Sequence, residues 1–255
     1  MLTIRQSQMF ALQRPAQEQF EAQMLAHLER HYPADHSLLG VEGLLAVVRA
    51  GQVEGLRMGL VAQGDMRRFI TLRLVLGSGL LRDPLLPWAA DIARELGQAG
   101  ALARLQAEAA EHLELSNGPD GRNALRAMLR AVALPFEDAV HIEGQDLQAS
   151  SLRMLRRLWP ERFRVLPMES RGLFLQVAAQ SARFNGLQTP GATQLHTVLM
   201  FLLGAEYASD PALPWAGEAL ATVRGAAAEV RARALYDAGQ AAVARLRPLL
   251  VAEAG

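Results

Sequence analysis

Apolar positions recur along this chain with the spacing of α-helices, and no stretch alternates convincingly with the period of a β-strand. In the first half, the pattern predicts helices over about 5–31, 41–58, 66–76, 101–115 and 123–134, and one starting at Pro87. In the second half, it predicts helices over about 147–158, 171–184, 192–203, 214–223 and 226–246. We therefore expect an all-α protein.

The two halves repeat one another at an offset of 127 residues. Residues 72–89 (LRLVLGSGLLRDPLLPWA) and 199–216 (LMFLLGAEYASDPALPWA) align without a gap and share nine identical positions. The same offset pairs the predicted helices of the two halves in the same order. The sequence therefore predicts two tandem pseudo-repeats of a multi-helix unit, with unit 1 at 1–135 and unit 2 at 136–255.

The repeated motif Asp-Pro-x-Leu-Pro-Trp-Ala is the most specific pattern in the chain. Its Asp can cap a turn, its second Pro suits the first turn of a helix, and its Trp adds a large apolar surface. We interpret it as a structural corner between the third and fourth helices of each unit; the alternative is that each Trp anchors a partner. The residues are Asp83, Pro84, Pro87, Trp88, Asp210, Pro211, Pro214 and Trp215.

Composition excludes several classes of chemistry. Lys+Arg and Asp+Glu both total 26, and this balance does not favour nucleic-acid binding. The chain contains no Lys, which excludes a Walker-type phosphate loop and a Schiff-base lysine. It contains no Cys, which excludes thiolate nucleophiles and disulfides.

Two local patterns suggest chemistry but are not kept in the second half. His27 and His31 have the spacing of a helical metal pair, yet their counterparts are Met154 and Leu158. Ser78 lies between two glycines, yet its counterpart is Ala205. We therefore predict no catalytic, metal-binding or cofactor-binding residue, no cofactor, and no enzymatic activity.

The densest basic patch contains aromatic residues, a combination that is common at protein interfaces. We predict it as a possible partner-binding surface. Its residues are Arg153, Arg156, Arg157, Trp159 and Phe163.

The sequence favours a cytoplasmic protein that does not act on membranes. The N-terminal residues lack the apolar run of a signal peptide. The longest apolar run, near 195–204, is far shorter than the ~20 residues of a spanning helix.

Several of these patterns together resemble a family of small helical bacterial proteins that are often encoded beside type VI secretion spike proteins and effectors. The resemblance covers about 1–95 well and 150–222 more weakly, and the tandem duplication departs from the usual single copy. The matching residues are Met1-Leu2-Thr3-Ile4-Arg5, Gln8-Met9, Phe20, Met24, His27-Leu28, Gly51, Gly59, Asp65, Phe69, Leu76-Gly77 and the Asp-Pro-x-Leu-Pro-Trp-Ala motif.

The resemblance implies a non-catalytic accessory or chaperone-like protein that binds a secreted effector before loading. The alternative is an immunity protein that neutralises a cognate toxin by direct binding. Both hypotheses require a protein partner, and the sequence leaves the oligomeric state open.

Overall fold

The protein is all-helical, as predicted, over residues 6–253, which are the residues that this computed structural model describes; side chains are described for 15–245. No β-strand occurs within that range. The helices are α1 (Gln6–His31), α2 (Pro33–Arg57), α3 (Gln63–Leu76), α4 (Pro87–Ala93), α5 (Ala101–Asn117), α6 (Arg122–Ala133), α7 (Phe136–Val140), α8 (Leu147–Leu158), α9 (Pro160–Val165), α10 (Met168–Phe184), α11 (Pro190–Leu203), α12 (Pro214–Thr222) and α13 (Ala228–Glu253).

Proline sets the start of five helices. Each of these helices begins at a Pro, where the missing N–H costs nothing and the fixed φ suits the first turn. They are α2, α4, α9, α11 and α12. The helix pattern therefore follows directly from local sequence at these points.

The predicted helices differ from the observed ones mainly where a helix is short. α2 begins at Pro33 rather than near 41, because an extra turn precedes a kink at Gly40, where φ is 63°. The short helices α7 and α9 were not predicted, since one or two turns offer too few apolar positions to establish a period. Asp65 lies inside the first turn of α3 and does not cap it, because that helix already begins at Gln63.

Helices from both halves of the chain share one continuous apolar core. α1 packs on α2 and α2 on α3, while α8 packs on α9 and α10 on α11. The last long helix of each half crosses over: α5 packs against α9, and α13 packs against α2. The core therefore includes fully buried side chains from both halves, among them Met24, Phe69, Phe174, Phe201 and Tyr207.

α11 is the most deeply buried helix. It carries the longest apolar run of the sequence, and only a few of its residues reach the surface. Within residues 6–253, no helix is long and apolar enough to cross a membrane.

Two buried carboxylates tie the halves together by crossed hydrogen bonds. Asp83 Oδ2 accepts the backbone N–H of Ala205 at 3.0 Å, and Asp210 Oδ2 accepts the backbone N–H of Ser78 at 2.7 Å. The Oδ1 atom of each Asp accepts the backbone N–H two residues further on, at 2.8 Å in both cases. Each Asp therefore stabilises its own turn and the helix end of the other half.

The backbones meet closely at the same point. Gly77 and Gly204 have φ of 97° and 102°, a region that favours glycine. A Cβ on Gly77 would lie 3.4 Å from the Leu203 carbonyl oxygen, and a Cβ on Gly204 would lie 3.5 Å from that of Leu76. Glycine at these two positions therefore allows α3 and α11 to end next to each other, with the last carbonyl groups of each helix close to the opposite half.

Candidate binding trough

A large apolar trough separates α6 from α11 and α13. Its volume is about 870 Å³, within the range of ligand and peptide sites. We call this feature the trough. Its apolar lining includes Leu125, Met128, Leu129 and Val132 of α6, Leu195, Val198, Leu199 and Leu202 of α11, Leu213 and Trp215 at the start of α12, and Leu235, Tyr236, Gly239 and Val243 of α13.

α6 directs its large apolar side chains toward the trough. Those four α6 residues are spaced i, i+3, i+4 and i+7, so they form one stripe on the helix. The buried residue of α6 is instead the small Ala127, and the helix packs on α5 and α8. Leu129 remains 55% exposed. The trough therefore has a wall of apolar side chains that are only partly covered by the described part of the chain.

A tight turn that contains residues with left-handed backbone conformation connects α5 to α6. Gly118, Asp120 and Gly121 have φ of 71°, 56° and 70°. Glycine adopts this region freely, and Asp is among the residues that tolerate it best. The Ser-Asn-Gly-Pro-Asp-Gly sequence thus reverses the chain between α5 and α6 and fixes where the wall begins.

Hydrogen bonds from α13 hold the other end of α6. The Tyr236 hydroxyl donates to the Leu134 carbonyl at 2.7 Å, and Gln240 Nε2 donates to the Val132 carbonyl at 3.1 Å. Carbonyls at a helix C-terminus lack donor partners within the helix, so the Tyr236 hydroxyl and the Gln240 amide supply the donors that these two acceptors need. The C-terminal end of α6, at one end of the trough, is therefore hydrogen-bonded to α13.

Trp88 and Trp215 occupy equivalent positions of the repeated motif but have different neighbours. The His112 ring lies 6.0 Å from the Trp88 ring, centroid to centroid. Burial lowers the pKa of His112 to about 4, so its ring is neutral at pH 7. The residue 127 positions after His112 is Gly239, and a Cβ there would lie 3.5 Å from the Trp215 ring. Position 239 therefore has room for about one methyl group beside the Trp215 ring.

Three apolar positions that line the trough have polar or charged counterparts in the first half. Three apolar residues of the trough are Leu195, Val198 and Leu235. The residues 127 positions earlier are Arg68, Thr71 and Glu108. At these three positions, the apolar character is therefore not shared by the counterparts in the first half.

The charged residues of the trough are mostly basic. Asp120, Arg122 and Arg126 contribute to its lining. Asp120 and Arg122 form an exposed ion pair at 3.8 Å. Arg126 forms no ion pair or hydrogen bond with any described residue. One cationic group is thus available beside the apolar wall.

The predicted basic and aromatic patch divides into buried and exposed residues. Trp159 is only 3% exposed, its indole N–H donates to the Ser116 carbonyl at 2.9 Å, and its ring packs edge-on against Phe201. The Trp159 side chain therefore packs in the core between α5 and α11 and does not present a free surface.

The remaining residues of that patch are nearer the surface. Arg153 binds Glu143 at 2.9 Å, while Arg156 and Arg157 are exposed. Phe163 is half-buried beneath the guanidinium of Arg171, 4.4 Å from the ring centroid. A partner-binding role for these residues stays a prediction.

The motif residues lie where α3 and α11 turn into the next helices. Pro84 and Pro211 lie in the turns, and Pro87 and Pro214 begin α4 and α12. Trp88 and Trp215 follow in the first turn of each helix and are half-buried. Of the two Trp side chains, Trp215 lines the trough.

A buried serine–histidine–tyrosine chain is centred on His196. His196 is fully buried; its Nδ1 lies 2.7 Å from the Tyr207 hydroxyl and its Nε2 lies 2.9 Å from the Ser181 hydroxyl. Burial raises the pKa of Tyr207 and lowers the pKa of His196, so both side chains are neutral at pH 7. Which ring nitrogen carries the proton decides which hydroxyl donates to the ring.

The two N-terminal histidines form only a pair. The His27 and His31 rings on α1 are 4.6 Å apart, and burial lowers the pKa of His27. Among the residues whose side chains are described, no three His, Asp or Glu residues form a cluster suited to a metal ion.

Comparison with known proteins adds no further assignment. No family model matches the sequence, and no curated protein or solved structure is detectably similar to it. The site is therefore defined by its own geometry.

Sequence reasoning missed the trough, although two signals for it were present. The first is the large apolar stripe of 125–132 on a short helix. The second is the change from His112 to Gly239 beside a repeated Trp. Neither signal reveals which helices face each other, so the sequence alone could not join them into one site.

Proposed function

We propose that the protein is a non-catalytic accessory protein that binds a type VI secretion effector in the cytoplasm before loading. The observation that carries this proposal is the open apolar trough, with its partly exposed wall on α6. The resemblance of the N-terminal and motif residues to proteins encoded beside such effectors supplies the class of partner.

We also propose that the chain is a tandem repeat of one helical unit. Two observations support this. α3 and α11 begin and end 127 residues apart, at Gln63 and Pro190 and at Leu76 and Leu203. The Asp residues of the two motifs make matching crossed hydrogen bonds. On this proposal, the trough is built from both units, with α6 of the first and α11, α12 and α13 of the second.

The proposed mechanism is stoichiometric burial of an apolar partner segment. Burying one large apolar side chain stabilises a complex by about 1.5–3 kcal/mol, so a few such residues in the trough suffice as a binding centre. Interface energy concentrates in such well-packed central pockets. Contacts outside the trough would then complete a standard interface of about 1,600 Å².

The proposal includes no chemical step. Ser181 and His196 form a hydrogen bond at 2.9 Å in the core, and neither residue lines the trough. The groups that line the trough are side chains suited to packing and to one ion pair. Binding alone accounts for this arrangement.

Co-expression with the products of neighbouring genes tests the proposal. Tagged wild-type protein should retain the effector, and Leu129→Glu should weaken retention by at least about tenfold, because it places a charge in the apolar wall. Leu115→Glu is the matched control, because Leu115 is 54% exposed on α5 and does not line the trough. Equal retention by both variants would exclude the trough as the binding site.

A protection assay separates this proposal from the immunity alternative. An immunity protein rescues cells that express the active toxin, and the rescue needs the intact binding surface. An accessory protein supports secretion of the effector but gives no rescue. Rescue that is lost in Leu129→Glu would favour immunity.

A further inference from the structure

We infer that two copies of this chain associate through two rows of charged side chains, the acidic row on α5 of one copy against the basic row on α6 of the other. The acidic row is Glu108, Glu111 and Glu114, and the basic row is Arg122, Arg126 and Arg130. This inference goes beyond the proposed function, because its partner is a second copy and not the effector.

The acidic row occupies the outer face of α5. Its three glutamates are spaced i, i+3 and i+6, so they form one row on the helix, and all are exposed. None of them forms an ion pair or a side-chain hydrogen bond with a residue in the described range 15–245. The nearby Arg104 binds Glu95 instead, at 2.8 Å. Within that range, the row is therefore a line of carboxylates without a paired cation.

The acidic row disfavours the helix that carries it. Like charges three or four positions apart on a helix repel one another. Glu114 also lies in the last turn of α5, where the helix dipole disfavours a negative charge, and that turn contains no basic residue. Helix formation therefore does not explain the row, whereas a cationic surface on a partner would offset both costs.

The basic row occupies one side of α6. Its three arginines are spaced i, i+4 and i+8 and are exposed, so they repel one another as the glutamates do. Arg126 has no partner among the described residues, and Arg122 has only the long contact with Asp120 at 3.8 Å. Arg130 donates to the Leu158 carbonyl at 3.1 Å, and no described carboxylate pairs with it. The basic row therefore has little compensating negative charge in the described part of one copy.

The two rows match in charge and in length. Each carries three charges of one sign, and at the rise of an α-helix the acidic row spans about 9 Å and the basic row about 12 Å. The whole chain has 26 basic and 26 acidic residues, so a second copy approaches without net repulsion. Because α5 packs against α6, each copy presents both rows on neighbouring helices. A second copy therefore offers each row the opposite charge at a matching length.

The exposure of these side chains sets the strength of the association and its dependence on salt. Ion pairs between exposed side chains contribute modestly, and salt screens them. The screening length falls from about 30 Å at 0.01 M salt to about 8 Å at 0.15 M. We therefore expect a weak, reversible association at low ionic strength, whereas a contact between apolar surfaces would persist at high salt.

Sedimentation equilibrium of the full chain at pH 7 tests the association. In about 10 mM NaCl, the average mass should rise above the 27.7 kDa of one chain as the protein concentration increases from about 1 to about 100 μM. In about 0.5 M NaCl, the association should weaken by at least about tenfold. A mass of one chain at every concentration in low salt would overturn the inference.

Reversing the charges in two separate variants tests which surfaces meet. The first variant, Glu108→Arg with Glu111→Arg, makes α5 basic, and the second, Arg122→Glu with Arg126→Glu, makes α6 acidic. Each variant alone should associate at least about tenfold more weakly than the wild type, because both of its rows then carry mainly one sign. An equimolar mixture of the two should associate again, because the basic α5 of one variant meets the acidic α6 of the other.

A control variant separates the effect of these rows from that of net charge. Glu42 and Glu218 are exposed on α2 and α12, outside both rows. Glu42→Arg with Glu218→Arg changes the net charge as much as the α5 variant does and should associate as the wild type does. The circular dichroism spectra of all the variants should match that of the wild type, since every exchanged side chain is exposed.

Three further outcomes would overturn the inference. These are association that high salt leaves unchanged, association that both row variants retain, and a mixture of the row variants that stays at the mass of one chain. Retention of the effector is measured separately and depends on Leu129. Loss of self-association with retention of the effector would refute only this inference, and the reverse result would refute only the proposed function.

Discussion

Replacing either buried motif carboxylate by its amide should weaken the connection between the two halves. Asp83 and Asp210 each accept two backbone N–H groups, one in their own turn and one from the opposite half. Asn has one acceptor oxygen in place of two, so Asp83→Asn and Asp210→Asn each leave one buried N–H facing an amide NH₂ group. The shape of the side chain is otherwise retained.

The structure sets the magnitude of this effect. Hydrogen bonds to a charged group contribute about 1.5–3 kcal/mol, and an unsatisfied buried donor costs about 1–3 kcal/mol. We therefore expect each substitution to lower the free energy of unfolding by about 3 kcal/mol. The loss should be smaller for Asp83→Asn, because its bond to the opposite half is longer, at 3.0 against 2.7 Å, and because burial raises the pKa of Asp83 and so disfavours its charged form. Since small domains are stable by about 5–15 kcal/mol, both variants should still fold.

Urea unfolding followed by circular dichroism at pH 7 measures this loss. The midpoint should fall while the m-value stays constant, because the surface exposed on unfolding does not change. Asp91→Asn is the control, since Asp91 is exposed and pairs only with Arg94 on the surface. A loss below about 0.5 kcal/mol in either motif variant, or equal losses in all three, would refute the role assigned to the crossed hydrogen bonds.

Three further predictions concern acid stability, the trough and the point where the backbones meet. The folded-state pKa of His196 is about 4, below the ordinary 6.5, so the unfolded chain binds more protons between these values. Stability should therefore be complete above about pH 6.5 and should fall by up to about 3 kcal/mol as the pH approaches 4, and His196→Phe should reduce this difference in urea unfolding at pH 7 and pH 4.5. Gly239→Ala should raise the melting temperature slightly, because Ala favours a helix over Gly by about 1 kcal/mol and the new methyl group meets only ordinary contact with Trp215; a lower melting temperature would contradict the open space there. Gly204→Ala should cost about 1–3 kcal/mol, because φ is 102°, a conformation that a residue with a Cβ rarely adopts, and unchanged calorimetric stability would disprove this strain.

Long helices with regular apolar spacing were predictable, and short helices were not. α3, α8 and α11 lie within three residues of their predicted bounds, because apolar periodicity and terminal Gly or Pro residues agree at these points. α7 and α9 each span only one or two turns, which is too short for a period to emerge. α3 begins at Gln63 rather than at the predicted 66, so Asp65 lies inside its first turn instead of capping it.

Sequence reasoning also could not decide which surfaces are free. Trp159 lies among arginines in the sequence, and this pattern is typical of an interface. In the fold, its indole N–H finds the Ser116 carbonyl of another helix and the ring becomes buried. The burial of an aromatic residue depends on distant elements, so local composition cannot predict it.

The sequence by itself determined the helical class, the starts of helices at prolines, and the repeated motif with its capping Asp. These features depend on backbone geometry and on spacing within a few residues. Only the tertiary structure decided that each Asp also accepts an N–H from the other half and that α6 stands opposite α11 and α13 with an open apolar trough between them. The physical reason is that hydrogen bonds and apolar burial join residues more than 100 positions apart, and no local pattern encodes which of them will meet.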